Sequence, residues 1–299
     1  MTPARDAASA ANLAGALWMV ASMAGFAVED VFLKTASAAL PLGQVLCLFG
    51  LGGAILFAAI ALANRDPIVN ADVLSTPMRI RACFEVTGRL FYIFAIALTP
   101  LSSATVILQA TPIVVVAGAA LIFRERVGWR RWTAILLGLT GVTIIVGPGA
   151  DSFSPLSILA VIGMIGFAGR DLASRAAPIS LSTATLGFYG FLAVIVAGAI
   201  CAAWQAEPFV TPDPPAARAL GGAVLAGVAG YAFLMKAMRT GEVSFVTPFR
   251  YARLLFGIAF GMALFGETLT PAMLAGSALI VASGLFIMWR GKRVAADGI

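Results

Sequence analysis

The sequence predicts an all-α integral membrane protein with ten transmembrane helices, built as two inverted five-helix repeats. Three observations lead to this fold class. Hydrophobic residues make up 61% of the chain, charged residues make up only 11%, and the mean hydropathy is +0.97. A compact soluble fold of this composition would lack a polar surface, so we expect a bilayer to surround the chain.

Ten apolar segments, separated by Gly, Pro and charged residues, are the predicted spans. A hydrocarbon core of roughly 30 Å needs about 20 apolar residues in helical form. Such segments occur at 12–35, 41–63, 80–98, 102–123, 131–147, 155–175, 180–203, 217–238, 243–265 and 270–289. The first one lacks an obvious small-residue cleavage site, so we interpret it as a helix and not as a removable signal peptide.

The basic residues are distributed unevenly about these spans. With the N-terminus in the cytoplasm, fifteen of the 20 Lys and Arg residues fall on the cytoplasmic side, and only Lys34 and Arg218 fall outside; Arg89, Arg250 and Arg253 lie within spans. The positive-inside rule then predicts a multi-pass protein of the bacterial inner membrane with both termini in the cytoplasm. The same scatter argues against a nucleic-acid partner, which would require a concentrated basic patch.

The two halves of the chain align with each other at an offset of 141 to 143 residues. The matched positions are Gly25, Phe26, Ala27, Asp30 and Lys34 with Gly166, Phe167, Ala168, Asp171 and Arg175, then Phe123 and Glu125 with Phe265 and Glu267, and Gly141 with Gly284. Charged positions in register favour a true repeat over a chance match of Gly- and Ala-rich helices. We predict two repeats, 1–150 and 151–299. Because each holds an odd number of helices, they are inverted, which is typical of secondary transporters that work by alternating access.

Several motifs resemble those of a known transporter family. ALTPLSSAT at 97–105 and FRERVGWRRW at 123–132, running into GLTGV, resemble the first EamA-type repeat of the drug/metabolite transporter superfamily. TGEVSFVTPFRYARLLFG at 240–257, FGE at 265–267 and AGSALIVASGLF at 275–286 resemble the closing repeat. The resemblance covers nearly the whole chain and implies ten helices and transport without ATP hydrolysis. Within the family, aromatic amino-acid exporters are the functional resemblance we favour.

Polar and aromatic side chains inside the spans are the candidates for substrate binding. Arg253 can hold a carboxylate in a bidentate pair, and Gln109 offers both donors and an acceptor to a zwitterion. Structural pairing with an acid and hydrogen bonding between helices are the competing roles. The full set of candidates is Trp18, Arg89, Tyr92, Gln109, Tyr189, Tyr251 and Arg253.

A second set of ionisable residues forms candidates for ion pairs that gate a pathway. Asp30 and Lys34 share one helix face, and we expect their group toward the outer end, with the group around Asp171 toward the inner end. Static pairing and snorkelling to the interface are the alternatives. The set is Glu29, Asp30, Lys34, Glu85, Arg170, Asp171, Arg175 and Arg250.

The sequence lacks the motifs of other functional classes, such as enzymes and ATP-driven pumps. The absence of histidine excludes Ser-His catalysis and histidine metal sites, and no phosphate-binding GxxxxGK[ST] motif occurs. Cys47, Cys83 and Cys201 have neither disulfide nor metal-site spacing. We therefore predict a monomeric transporter without enzymatic activity or cofactor that exports amino acids, above all aromatic ones. The alternative is a carrier of another metabolite, such as a vitamin or a nucleotide-derived cofactor, or a passive facilitator.

Overall fold

The structure, a computed structural model, describes residues 3–98, 107–146, 155–265 and 270–296, and the regular structure of this part is entirely helical. Ten principal helices are numbered here in chain order. They are α1 Pro3–Ser37, α2 Leu42–Ala63, α3 Thr76–Leu98, α4 Thr111–Ile122, α5 Trp129–Val146, α6 Ile158–Ala176, α7 Thr183–Gln205, α8 Pro214–Arg239, α9 Ala252–Phe265 and α10 Pro271–Ala296. The predicted all-α membrane fold with an internal repeat is confirmed.

Five of the described helices are long and apolar enough to cross a membrane by length and composition alone, namely α1, α2, α7, α8 and, with the short turn before it, α6. The helix α3 also has the length of a span, but Arg79, Arg81, Glu85 and Arg89 lower its hydropathy. Charged residues inside spans are rare and usually face the interior of the bundle. Arg81 and Glu85 are at most 1% exposed, so this face of α3 points into the protein interior, whereas Cys83 and Leu98 on the same helix are exposed.

The ninth predicted span differs from the structure at its start. The sequence predicted one helix over 243–265, whereas the chain forms a short helix Val243–Val246, a 3₁₀ segment Thr247–Tyr251 and then α9. Pro248 is the physical reason, because proline lacks an amide donor and disturbs an α-helix interior. Pro112 similarly lies in the first turn of α4, and the earlier part of that predicted span, 102–106, lies outside the described residues.

Helices from the two halves of the chain pack against each other. Helix α1 lies along α8, α3 along α6, α2 along α7, and α5 along α10. A Cβ atom on Gly25 would lie 2.9 Å from Cα of Gly230, and one on Gly166 would lie 2.5 Å from Cα of Gly88. Gly25 and Gly166 are equivalent in the repeat, as are Gly88 and Gly230 at an offset of 142. The α1–α8 and α3–α6 contacts are thus copies of one interface; the exact division at residue 150 stays a prediction.

The close approach of α3 and α6 leads to a stability prediction. We expect Gly166→Ala to lower the free energy of unfolding by about 1–3 kcal/mol, because the new methyl group would press on the backbone of Gly88. Gly221→Ala is the matched control, since a Cβ atom there meets nothing within 4 Å. Thermal unfolding of the purified proteins in one detergent measures the difference. Equal unfolding midpoints for the two variants would contradict the close contact.

Candidate functional site

A network of buried charged and polar side chains joins α3, α6 and α8. Its centre is the carboxylate of Glu85, which accepts hydrogen bonds from the Tyr231 hydroxyl at 2.7 Å and from Arg170 at 3.2 Å. Arg81, one turn from Glu85 on α3, lies 3.7 Å from the same carboxylate and also donates to Tyr231. Arg81, Glu85 and Tyr231 are each at most 1% exposed, so this network is sealed from the surroundings.

The remaining donors of Arg81 bind groups on two other helices. Its Nε donates to the Ser174 hydroxyl at 2.9 Å, and a terminal nitrogen donates to the Leu186 carbonyl at 2.8 Å. Gly190 provides the necessary space, because a Cβ atom there would lie 2.2 Å from the Tyr231 oxygen. A buried arginine is tolerated when its several donors are satisfied in this way.

The network continues through α6 to the start of α9. Arg170 binds both Glu85 and the neighbouring Asp171, whose Oδ1 lies 2.8 Å from the guanidinium. The second oxygen of Asp171 forms an ion pair with Arg250 in the 3₁₀ segment before α9. The carboxylates of Glu85 and Asp171, both fully buried, thus connect four elements drawn from both halves of the chain.

A separate ion pair lies between α1 and α9. Arg253 donates two hydrogen bonds to the carboxylate of Asp30, at 2.6 and 2.9 Å, and its guanidinium lies 5.4 Å from the ring centre of Phe26. The Asp30 and Arg253 side chains are 50% and 38% exposed, unlike those of the buried network. Because an ion pair within spans is costly in hydrocarbon, this exposure indicates a water-accessible surface.

The two aspartates do not lie at opposite ends of the bundle, as the sequence led us to expect. Asp30 and Asp171 bind Arg253 and Arg250, which are three residues apart on one stretch of chain, or about 5 Å along it. The helix positions suggested a larger separation, but Arg250, in the 3₁₀ segment, and Arg253, in the first turn of α9, each bind one of the two aspartates. A pair of gates at opposite ends is therefore not supported by these groups.

Glu29 and Arg89 are the two candidates whose polar atoms lack partners. Glu29 is 2% exposed, and its Oε2 accepts no hydrogen bond. The Nε of Arg89 is likewise buried without an acceptor, while the guanidinium lies 5.9 Å from the ring centre of Phe167. Among neighbouring charges, Arg89 has the largest electrostatic effect on Glu29. These two groups lie near each other without forming an ion pair.

The aromatic candidates lie in different places. Trp18 stacks on Phe233 at 5.3 Å and lies beneath the Lys236 ammonium, and Tyr92 contacts Phe167 edge to face at 5.8 Å. Tyr189 packs on the neighbouring Phe188. Tyr92 thus contacts the ring of Phe167, beside which the guanidinium groups of Arg89 and Arg170 lie.

Tyr251, by contrast, points away from the charged residues. It is 1% exposed, its hydroxyl donates to the Ile135 carbonyl at 3.3 Å, and its ring fills the space beside Gly138 of α5. A Cβ atom on Gly138 would lie 2.4 Å from that ring, so the contact is tight. The structure therefore gives Tyr251 a packing role between α5 and α10, and its part in substrate binding stays a prediction.

Three other predicted residues lie at the edges of this arrangement. Gln109 is half-buried in the turn before α4, and Lys34 is exposed near the end of α1. Arg175 donates to the Met238 carbonyl at 3.3 Å and so joins the end of α6 to α8. None of these three side chains takes part in the buried network around Glu85.

The end of the bundle that holds residues 240–242, the predicted cytoplasmic end, has polar contacts between the two halves of the chain. Glu125 accepts hydrogen bonds at 2.9 Å from the amides of both Val243 and Ser244, the first turn of the short helix. Arg131 of α5 binds Glu242 and the Ser244 hydroxyl. A carboxylate at a helix N-terminus is favourable because it satisfies free amides and the helix dipole. These contacts hold the first half against the second at this end.

Sequence reasoning missed Tyr231 and Ser174, which complete the network. Neither is charged, and neither stands out within its apolar helix. The internal repeat contained a signal for one of them, because an offset of 142 residues aligns Tyr231 with Arg89. Within the part of the chain that the structure describes, no group of three His, Cys, Asp or Glu side chains is placed to hold a metal ion.

The network leads to an ordered set of stabilities. Glu85→Gln removes the charge that compensates Arg81 and Arg170, and we expect a loss of about 3–5 kcal/mol of unfolding free energy. Tyr231→Phe removes a single hydroxyl and should cost about 1–2 kcal/mol. Exposed Glu207→Gln is the control and should have no effect. Thermal unfolding in detergent ranks the variants, and a Glu85→Gln protein as stable as Glu207→Gln would refute the central role of Glu85.

Comparison with known proteins finds transporters that match between 69% and 94% of the chain. A riboflavin transporter of Vibrio cholerae is 28% identical over 94% of this chain and 95% of its own. An S-adenosylmethionine uptake transporter of Rickettsia conorii is 24% identical over 69% of each chain, and the pseudopaline exporter CntI of Pseudomonas aeruginosa is 29% identical over 89% of this chain and 93% of its own. None of these three names mentions an aromatic amino acid. One of them names uptake and another names export.

The fold and the repeat are also found in known proteins. A solved crystal structure superposes with a TM-score of 0.76 and covers 96% of this chain and 99% of that chain; at 21% identity, this shows the fold alone. The model of the EamA-like transporter family matches twice, at residues 13–147 and 155–289. The chain therefore belongs to the EamA-like transporter family, and it is a multi-pass membrane transporter of the drug/metabolite type.

Proposed function

We propose that this chain is a secondary transporter for a ring-containing metabolite of the vitamin or nucleotide-derived cofactor class, with riboflavin as the first substrate to test. The observation that carries the proposal is the set of charged side chains within the spans, where helices of the two repeats meet. Side chains of both signs lie there beside the rings of Phe26 and Phe167. Charges of both signs beside aromatic rings suit a neutral substrate with several hydrogen-bonding groups and a flat ring.

The earlier preference for aromatic amino acids loses its main support. That interpretation required Arg253 to bind the substrate carboxylate. In the structure, its guanidinium already donates two hydrogen bonds to the carboxylate of Asp30. It also required Tyr251 as a stacking face, and that ring is buried against α5. The alternative, a carrier of another small metabolite, agrees better with the riboflavin and S-adenosylmethionine transporters among its relatives.

The mechanism that we propose is alternating access in the bacterial inner membrane, with both termini in the cytoplasm. The contacts of Glu125 and Arg131 close the predicted cytoplasmic end, while the Asp30–Arg253 pair is exposed. Opening the closed end would require the short helix Val243–Val246 to leave Glu125. The buried network around Glu85 would remain between the two ends and prevent a continuous aqueous path.

Counterflow in proteoliposomes tests the proposed substrate. We expect saturable uptake of labelled riboflavin that is accelerated by unlabelled riboflavin inside, because a carrier returns faster when loaded and a passive channel does not. Tryptophan and phenylalanine should not compete at concentrations where riboflavin saturates. Riboflavin that neither moves nor competes, together with counterflow of an amino acid, would overturn the proposal and restore the amino-acid reading.

A further inference from the structure

The internal repeat creates two equivalent positions around the buried charges, and only one of them is complete. The equivalent of Arg170 is Glu29, at an offset of 141 residues. At an offset of 142 residues, Gly227 on α8 is the equivalent of Glu85 on α3, and Arg89 on α3 is the equivalent of Tyr231 on α8. The close contacts Gly25–Gly230 and Gly166–Gly88 support this alignment, because Gly25 is the equivalent of Gly166 and Gly230 is the equivalent of Gly88.

In the complete position, one side chain bridges two others. The carboxylate of Glu85 accepts a hydrogen bond from Arg170 through one oxygen and from Tyr231 through the other, at 3.2 and 2.7 Å. All three side chains are buried, and the bridge satisfies the polar atoms that they present to each other. A buried network of this kind is stable only when each member has a partner.

In the second position, the bridging side chain is missing. Gly227 stands where the other half has Glu85, and a Cβ atom on Gly227 would lie 2.7 Å from the ring of Phe49 and 3.2 Å from Oε2 of Glu29. Glu29 and Arg89, the two residues that the repeat aligns with the neighbours of Glu85, each have an unpartnered buried atom, Oε2 of Glu29 and Nε of Arg89. An unmade hydrogen bond at a buried polar atom costs about 1–3 kcal/mol, so a ligand that pairs with both atoms gains affinity.

We propose that Glu29 and Arg89 form a two-point subsite in which the substrate supplies the missing bridge. The carboxylate of Glu29 requires a donor, and the N–H of Arg89 requires an acceptor. The matching ligand group is therefore a neutral edge with an N–H next to a carbonyl, as in an imide, a ureide or a pyrimidinedione ring. A simple carboxylate fits poorly, because it would be repelled by Glu29.

This inference rests on the proposed function and names the part of the substrate that is recognised. The ring system of riboflavin has such an edge, an imide N–H between two carbonyl groups. The ring of Phe167, beside the Arg89 guanidinium, and Phe49, which lies against Gly227 and thus near Glu29, provide apolar neighbours for a flat ligand. Recognition of an N–H by a buried carboxylate discriminates strongly against a ligand that lacks it.

A comparison of two ligands on matched variants tests the subsite. The probes are riboflavin and 3-methylriboflavin, in which a methyl group replaces the imide hydrogen, and the measurement is the dissociation constant for the purified protein together with counterflow of riboflavin. We expect the wild-type protein to bind 3-methylriboflavin at least about tenfold more weakly. Glu29→Met should weaken riboflavin binding and bring the ratio of the two constants close to one.

Controls separate a direct contact from a structural effect. Glu207→Met, at an exposed position, should keep the wild-type ratio, and Arg89→Met should weaken both ligands while keeping the ratio, because both retain the carbonyl. If Glu29→Met does not fold, Glu29→Gln should give an intermediate ratio. Riboflavin transport with equal wild-type affinity for both ligands would overturn the subsite and leave the proposed function standing. Absence of both riboflavin binding and counterflow would overturn the proposed function, and the subsite with it.

Discussion

Charge inside a bilayer must be compensated by nearby charge or hydrogen bonds, and the carboxylate of Glu85 meets this requirement for two arginines at once. Much of the interior follows from that arrangement. Helices α3, α6 and α8 must approach closely enough for Arg81, Arg170 and Tyr231 to reach one carboxylate. The approach is possible because glycines stand where the helices cross, Gly88 against Gly166 and Gly190 beside the Tyr231 hydroxyl.

The same network makes the two inverted repeats chemically unequal. Their backbones form equivalent crossings, but one position has a bridging acid and the other has Gly227. A symmetric arrangement with acids at both positions would leave no unpartnered group for a ligand. The departure from the repeat, more than the repeat itself, therefore indicates where a substrate would bind. In a transporter whose halves exchange conformations, such a difference gives the substrate one defined site near the repeat interface.

The spans and the repeat were predictable from the sequence, because apolar length and charged positions in register are visible without tertiary contacts. The grouping of Glu85, Arg170, Asp171 and Arg250 into one network was not, since it depends on which helices pack together. Asp30 and Asp171 show the limit most clearly: their depths along α1 and α6 suggested opposite ends, but two arginines on one segment bind both. Tyr251 shows a related limit, because an aromatic ring in a span suits packing as well as substrate contact, and the family motifs describe scaffold and not substrate.

The most direct measurement concerns the pairing of Glu85 with Arg170. A Glu85→Met, Arg170→Met double variant keeps the net charge of the network unchanged and leaves Asp171 with Arg250 as its partner. We expect the double variant to be more stable to unfolding than Glu85→Met alone, and to lose less than the two single losses added together, because Arg170 no longer remains as a buried positive charge once its acid has been removed. If the double variant is as unstable as the sum of the two single variants, Glu85 and Arg170 do not compensate each other, and the central claim fails.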